Sequence, residues 1–343
     1  MTRPRPRTRA MAALVAVGAL ILTGCSSAED SGGGSGGSGG DNARETYTVG
    51  IDVAFHPIFD YVMGQAEEYF GDKDYDVEFQ VLDATTQVPA FGAGDLDVMT
   101  TVPSFMPRVK EQFDIDTTYF FPMARWTPGP TILVPPDSAA TSIEDLEGAT
   151  VAVAPLSSRF GAEQMAVLAA TGQNIEDYFD LVETDAAAQE IAGGRAEAVF
   201  IEAPSTAPLL AEGYTEVFSV QDAFEEAFDD PAVMNGGYIA ASSFVSDNSE
   251  FVQDLIAATQ DAWDTFQSDP DTVIEVASEV SGVPPEQLEL VGQVLNLAET
   301  TDEQKKVTEQ DVATWTELFP LLAEAGFITE APEDPAALFQ ITE

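Results

Sequence analysis

One pattern occurs twice in this chain, about a hundred residues apart, and a repeat of that length restricts the fold before composition does. Phe91-Gly-Ala-Gly-Asp-Leu-Asp-Val-Met-Thr-Thr101 and Ile191-Ala-Gly-Gly-Arg-Ala-Glu-Ala-Val-Phe-Ile201 share the order apolar, small, Gly, polar, small apolar, acid, apolar strand. Each reads as a helix stopped by glycine and followed by a buried strand. Pro103-Ser-Phe-Met-Pro107 and Pro204-Ser-Thr-Ala-Pro208 come next, the same Pro-Ser-x-x-Pro, and proline opens a helix where first-turn amides lack partners anyway. Upstream, residues 48–59 are echoed by 150–161: a strand, a proline-marked turn, a helix. Three echoes in one order imply two similar α/β lobes.

Within each lobe, strands and helices alternate. Residues 48–53 read as a strand, 57–70 carry apolar residues at helical spacing, and 77–82 alternate again, the βαβ grammar of a parallel sheet with helices on both faces. Two apolar strands, Thr131–Val134 and Gly237–Ala241, read as the crossings between lobes. The first lobe is then discontinuous: 46–134 and 238–343, the return carrying the C-terminal helices, with 135–237 as the second lobe. Past the first crossing, residues 142–148 predict a short helix with Ser142 as N-cap, acids in its first turn and Gly148 as its stop. Further helices are expected over 251–266, 270–281, 285–295 and 309–325.

The start of the chain sets its compartment. Arg3, Arg5, Arg7 and Arg9 precede an apolar run, 10–22, too short to span a bilayer comfortably, which is the build of an export signal. That run ends in Leu22-Thr23-Gly24-Cys25, which resembles the bacterial lipobox, whose cysteine sulfur takes a diacylglycerol and becomes the mature N-terminus. Residues 1–24 are thus read as a lipoprotein signal peptide. Residues 25–45, rich in Gly and Ser, are read as a lipidated tether reaching roughly 25 Å. Cys25 is the only cysteine, so no disulfide forms and thiol catalysis is not expected.

The chain carries 13 Lys+Arg against 60 Asp+Glu, a net charge of −47; without the four leader arginines the balance is 9 against 60, or −51. Such a surface repels nucleic acid and anionic lipid heads. The acidity is spread along the chain and reads as a solvated surface suited to high salt, where screening shortens to about 3 Å at 1 M.

The lipobox, Tyr47-Thr-Val-Gly-Ile, the Gly-Asp-Leu-Asp-Val motif, Asp137 to Gly148 followed by Thr150-Val-Ala-Val-Ala154, and the helical tail resemble the type 2 periplasmic binding proteins of the sulfonate, taurine, nitrate and thiamine-precursor group. The resemblance covers about residues 25 to 330. It implies an α/β, two-lobed fold with the ligand cleft between two sheets, at strand carboxyl ends and helix amino ends, where free amides bind anions. It implies a monomeric substrate-binding lipoprotein, held to the outer face of the cell membrane, that passes a small organic anion or zwitterion to the permease of an ABC importer. A thiamine-precursor-like heterocycle or an amine is the alternative ligand. No cofactor or metal is expected.

The cleft-lining candidates follow the strands: Phe55 and His56, Thr101 and Ser104, Ser157, Ser158 and Arg159, and Glu202, joined by Trp126 and Asn235. Ser157 and Ser158 suit helix capping as well as ligand donation, and Arg159 suits bidentate oxyanion binding or a surface ion pair. His56, the only histidine, is read as a packed turn residue or a ligand group. Phe55 and Trp126 either stack on ligand or fill core. Glu202 fits an amine, a pyrimidine or a zwitterion better than a plain anion. Arg108, Lys110 and Arg195 read as exposed helix charges. An enzyme is the rival class: iron-dependent pyrimidine-forming enzymes resemble this family and carry a cysteine-rich motif that this sequence lacks. An adhesion or signalling protein on the same fold is the third reading.

Overall fold

In the computed structural model, which describes residues 44–52, 56–82, 84–126, 129–155, 161–184, 186–202 and 205–341, the strands fall into two five-stranded sheets. The strands are β1 (Glu45–Asp52), β2 (Tyr75–Leu82), β3 (Val98–Thr101), β4 (Thr117–Pro122), β5 (Thr131–Val134), β6 (Thr150–Val153), β7 (Asp180–Glu183), β8 (Ala198–Ile201), β9 (Thr215–Ser219) and β10 (Gly237–Ala241). One sheet has the order β2-β1-β3-β10-β4 and the other β7-β6-β8-β5-β9. The two orders are the same, with β10 and β5 as the antiparallel members. Residues 1–24, read as a signal peptide, Cys25 and residues 26–43 of the expected tether lie outside the described residues, whereas Arg44 is described and Glu45, given to the tether, already opens β1.

The echoed motif has the same chemistry in both sheets. Gly94 and Gly194 take left-handed backbone, φ 81° and 66°, which suits glycine because a Cβ is disfavoured there. Each closes its helix with a bond back across the turn, Asp95 N–H to the Ala90 carbonyl and Arg195 N–H to the Glu190 carbonyl. The acid two or three residues on then turns to the neighbouring strand. Asp97 accepts from the Thr48 amide at 2.8 Å and Glu197 from the Thr150 amide at 3.0 Å. The carboxylate extends the ladder and sets how β1 meets β3 and β6 meets β8. Both β3 and β8 are buried along their whole length, as central parallel strands are.

The crossings differ from expectation. The sequence ends the first lobe at 134, but β5 pairs with β8 and β9 and belongs wholly to the second sheet. The chain changes sheet between Pro122 and Thr131 and returns between Ser219 and Gly237. A central strand is buried on both faces whichever sheet it joins, so its apolar pattern does not tell them apart. The segment after β5 also differs in detail. Ile143–Leu146 is a 3-10 turn, and the Ser142 side chain makes no capping bond to its backbone. Asp145 secures the turn instead, accepting from the Thr141 amide at 2.8 Å and hydroxyl at 3.0 Å.

The expected 57–70 helix is two helices, Pro57–Gly64 and Ala66–Phe70. Helices Ser249–Ser268 and Pro270–Ser281 pack on Pro57–Gly64 beside the first sheet. Helix Glu309–Glu324 goes elsewhere, against helix Ala162–Thr171 of the second sheet's layer and the 3-10 turn Pro103–Phe105 of the first. Its Trp315, Leu318, Phe319 and Leu322 share one apolar cluster with Met99 and Tyr119 of the first sheet and Val151 and Phe200 of the second. Each such side chain gains roughly 1.5–3 kcal/mol on burial. This helix is therefore common packing for both sheets.

Candidate functional site

Strand register shows where the two sheets open toward each other. Gly237, the first residue of β10, pairs with Thr101 and Pro122, the last residues of β3 and β4. Thr131, the first of β5, pairs with Ile201 and Ser219, the last of β8 and β9. Both crossings thus leave from the carboxyl ends of parallel strands, and they run beside each other as a ribbon. Met123 and Ala124 donate to the Gly236 carbonyl, Trp126 donates to Val233, and Asn235 donates to Ala124. The carboxyl ends of both parallel sets meet at this ribbon, the arrangement in which open α/β sheets bind ligands. Gly237 has no alternative, because a Cβ there would stand on the Tyr119 hydroxyl and the Phe121 carbonyl.

Four expected site residues gather at the first sheet's corner of the ribbon. Thr101 ends β3, buried at 5 % exposure, and its hydroxyl has no hydrogen-bond partner. Ser104, in the turn opened by Pro103, is fully buried. His56 occupies the cap position before helix Pro57–Gly64 without capping it, and its ring packs on Phe59 and Trp263. Its Nε2 lies 3.0 Å from the Met123 carbonyl, which only accepts, so Nε2 carries the proton and Nδ1 is left as an unpartnered acceptor. Burial lowers the imidazole pKa to about 4, so the ring is neutral at physiological pH. Asn235, half-buried on the ribbon, has a side-chain oxygen without a partner. Three groups at one corner therefore have unmet hydrogen-bonding capacity, each at a cost of about 1–3 kcal/mol.

The other expected residues divide. Trp126 is 4 % exposed and packs between Phe224 and Trp315, the core-filling role. Glu202 follows β8 on the exposed surface, its carbonyl accepting from the Ser205 amide. Phe55, Ser157, Ser158 and Arg159 lie outside the described residues. Arg195 is exposed and paired with Glu190, and Lys110 is paired with Asp114, as surface charges. Arg108 is not such a charge: it is half-buried against Phe105 and Phe327. No group of three or more His, Cys, Asp or Glu among the described residues is placed to hold a metal ion.

Sequence reasoning missed the residue that fastens the ribbon. Arg125 spends all five N–H groups there: Nε on the Gln304 carbonyl, Nη1 on the Ala232 carbonyl and Asp311, Nη2 on the Lys306 carbonyl and Asp311. Arg125 and Asp311 are 9 % and 1 % exposed. Asp311 also accepts from the Thr308 amide and hydroxyl in the capping box of helix Glu309–Glu324. Both crossings and the C-terminal segment thus meet at one guanidinium. Four of the five partners come from 179 to 186 residues away, beyond any local pattern.

The chain matches, over residues 51–258, the family described as ABC transporter, phosphonate, periplasmic substrate-binding protein. No curated protein sequence matches it. Among solved structures it resembles the periplasmic aliphatic sulphonate binding protein SsuA from Escherichia coli, at 18% identity and TM-score 0.66, covering 87% of this chain and 93% of that one. The alkanesulfonate-binding protein SsuA from Xanthomonas axonopodis pv. citri, bound to MOPS, gives 18% identity and TM-score 0.60 over 86% of this chain and 98% of that one. The desulfurization enzyme DSZB gives 16% and 0.54 over 85% and 98%. At such identities the likeness is one of fold. No described helix is long and apolar enough to cross a membrane.

Proposed function

The chain belongs to the family of periplasmic substrate-binding proteins of phosphonate ABC transporters, and on that premise we propose that it captures a sulfonate- or taurine-like molecule between its two lobes. We read it as a non-enzymatic lipoprotein, anchored through Cys25, that delivers its ligand to an importer permease. The observation that carries the ligand site is the set of three unpartnered atoms at the carboxyl-end corner: His56 Nδ1, Thr101 Oγ1 and Asn235 Oδ1.

Their chemistry narrows the class. The threonine hydroxyl donates to an anionic oxygen, whereas the imidazole nitrogen and the amide oxygen accept, so the ligand must bring N–H groups as well. An aminosulfonate meets both demands, with Ser157, Ser158 and Arg159 as the proposed anion-side donors from the second lobe and Glu202 on the ammonium side. The same two acceptors favour, as second reading, an amine or a nitrogen heterocycle of the thiamine-precursor kind.

A thermal-shift comparison of taurine, ethanesulfonate, ethylamine and an aminopyrimidine decides between them. Ligand at a hundred times its dissociation constant adds about 2.7 kcal/mol of stability. Taurine is expected to stabilise most. Stabilisation by the aminopyrimidine alone selects the second reading, and none by any of the four ends the proposal. Arg159→Ala is expected to weaken taurine binding about ten- to a hundredfold.

A further inference from the structure

Helix Glu309–Glu324 is bonded unequally along its length. Its first half is tied to the ribbon and its flank: Asp311 to Arg125, Trp315 Nε1 to the Met234 carbonyl at 2.9 Å, and the Thr314 hydroxyl to Asp230 at 2.8 Å. Gln310 Nε2 donates to the Phe228 carbonyl at 3.4 Å, at the end of helix Val220–Phe228, which packs on helix Ala162–Thr171 of the second lobe. All of these bonds lie at the hinge, where rotation of one lobe against the other moves atoms least.

Beyond Pro320, the directional contacts go to the first lobe. Phe327 meets Phe105 edge to face at 5.7 Å, and the Arg108 guanidinium carbon lies 5.0 Å and 5.2 Å from the centres of those two rings. The Thr329 amide donates to Glu111 Oε1 of helix Met106–Phe113 at 3.0 Å, and the Gln340 amide donates to the Tyr119 carbonyl of β4 at 2.9 Å. Toward the second lobe the same stretch makes apolar contact, with no hydrogen bond among the described residues. A Cβ on Gly161 would stand 3.0 Å from Leu322 Cδ2 and 3.9 Å from Phe327 Cδ2. Gly161 caps helix Ala162–Thr171, directly after the turn that holds Ser157, Ser158 and Arg159. Beside this contact a gap of about 290 Å³ is lined by Arg108 and Phe327 and, from the second lobe, by Gln164 and Glu176.

One helix cannot keep all its contacts with two lobes that turn against each other. Hydrogen bonds and ring stacks are directional, whereas apolar contact is not and slides at little cost. We propose, on the reading that the two lobes close on a ligand, that the chain from Pro320 onward travels with the first lobe and that the second lobe slides over Leu322 and Phe327, with the gap as its room to move. Asp311 to Leu322 spans about 16 Å of helix, so a hinge rotation of about 15° displaces this contact by about 4 Å. Leu322 and Phe327 are then positioning residues, which act on the ligand through the turn before Gly161.

Spin-label distances in the full chain carrying Cys25→Ser test this at exposed positions. Gln112→Cys with Glu330→Cys spans the first lobe and the C-terminal stretch; Asp177→Cys with Glu330→Cys spans the second lobe and that stretch. The first pair is expected to give one narrow distance with and without taurine. The second is expected to be broad without ligand and to shift by about 4 Å with saturating taurine. A bismaleimide cross-link closed across the second pair without ligand is expected to weaken taurine at least about tenfold, and one across the first to leave it unchanged. Phe327→Ala is expected to broaden the first pair, and Phe327→Tyr, which keeps the ring, to leave it narrow. A first pair that shifts while the second stays fixed puts this stretch on the second lobe and overturns the proposal, as does a second pair that is narrow and unchanged. If taurine does not bind, the ligand-free second pair still decides: a broad distance supports the sliding contact although the ligand reading has failed, and a narrow one overturns it.

Discussion

The ribbon between the sheets carries buried polar groups of two opposite kinds. At Arg125 five donors meet five acceptors, three of them carbonyls and two the oxygens of Asp311. A few residues away, the Thr101 hydroxyl, the Asn235 oxygen and His56 Nδ1 meet nothing. Burial is similar and the surrounding backbone is the same. On the proposed reading the contrast separates scaffold from site: a polar group matched inside the protein holds the fold, and one left unmatched where two sheets open awaits the ligand.

The sharpest way to break this contrast is to unmatch the matched group. Asp311→Ala leaves the Arg125 charge buried and half bonded, with an expected loss of about 3–5 kcal/mol in urea unfolding. Arg125→Met combined with Asp311→Leu is expected to recover most of it. A single-variant cost below about 1 kcal/mol means the ribbon is not fastened here.

Asp60 sharpens the contrast by meeting burial in a third way, with a proton. It lies 5 % exposed on helix Pro57–Gly64, and burial raises its pKa to about 7, opposed only by the Ser281 hydroxyl. Folded pKa above unfolded pKa means its contribution is complete below about pH 4 and is lost as pH rises through 7. Asp60→Asn escapes that loss. Its stability relative to the unsubstituted protein is expected to climb by up to about 1.4 kcal/mol per pH unit between pH 4 and 7 and then level off. His56 runs the other way: with its pKa lowered to about 4, its contribution is present above pH 6.5 and is lost as pH falls toward 4. Unfolding free energies of both proteins from pH 4 to 8 isolate the Asp60 part by difference, and a difference that stays flat removes it.

Thr101→Val tests the unmatched side. Without ligand it is expected to be neutral or to stabilise by up to about 1–3 kcal/mol, because an unbonded buried hydroxyl is gone. With ligand, affinity is expected to fall about tenfold. A ligand-free destabilisation of that size instead means the hydroxyl was bonded within the fold. Smallest is Thr308→Ala, which removes the matched cap of helix Glu309–Glu324 at about 1 kcal/mol and leaves ligand affinity as it was.

What could be read from the sequence was local. The echo was legible because its parts lie within a dozen residues: a glycine stop, an acid, a buried strand. The same spacing puts Asp97 on the Thr48 amide and Glu197 on the Thr150 amide. Helix Pro270–Ser281 was legible to the residue, since Asp269 caps it, Pro270 opens it and Gly282 ends it. The sheet that β5 joins was not, because pairing is decided by partners 66 to 88 residues on. Arg125 was missed, and Arg108 was read as an exposed charge, for the same reason. A cation's environment is set by whatever the fold brings to it, and in so acidic a chain the default expectation is a surface ion pair.

The exchange of β5 and β10 also fixes an order of assembly. All strands of the second sheet lie between residues 131 and 219, whereas the first sheet stays open until residues 237–241 insert between β3 and β4. A chain emerging from its N-terminus therefore exposes its first four strands without their central partner until most of it has been made, and helix Glu309–Glu324 joins both layers later still. The lobe that begins first finishes last. Truncations ending at residue 236 and at residue 343 are expected to differ under protease accordingly, with 45–122 cut in the shorter chain while 131–219 survives in both.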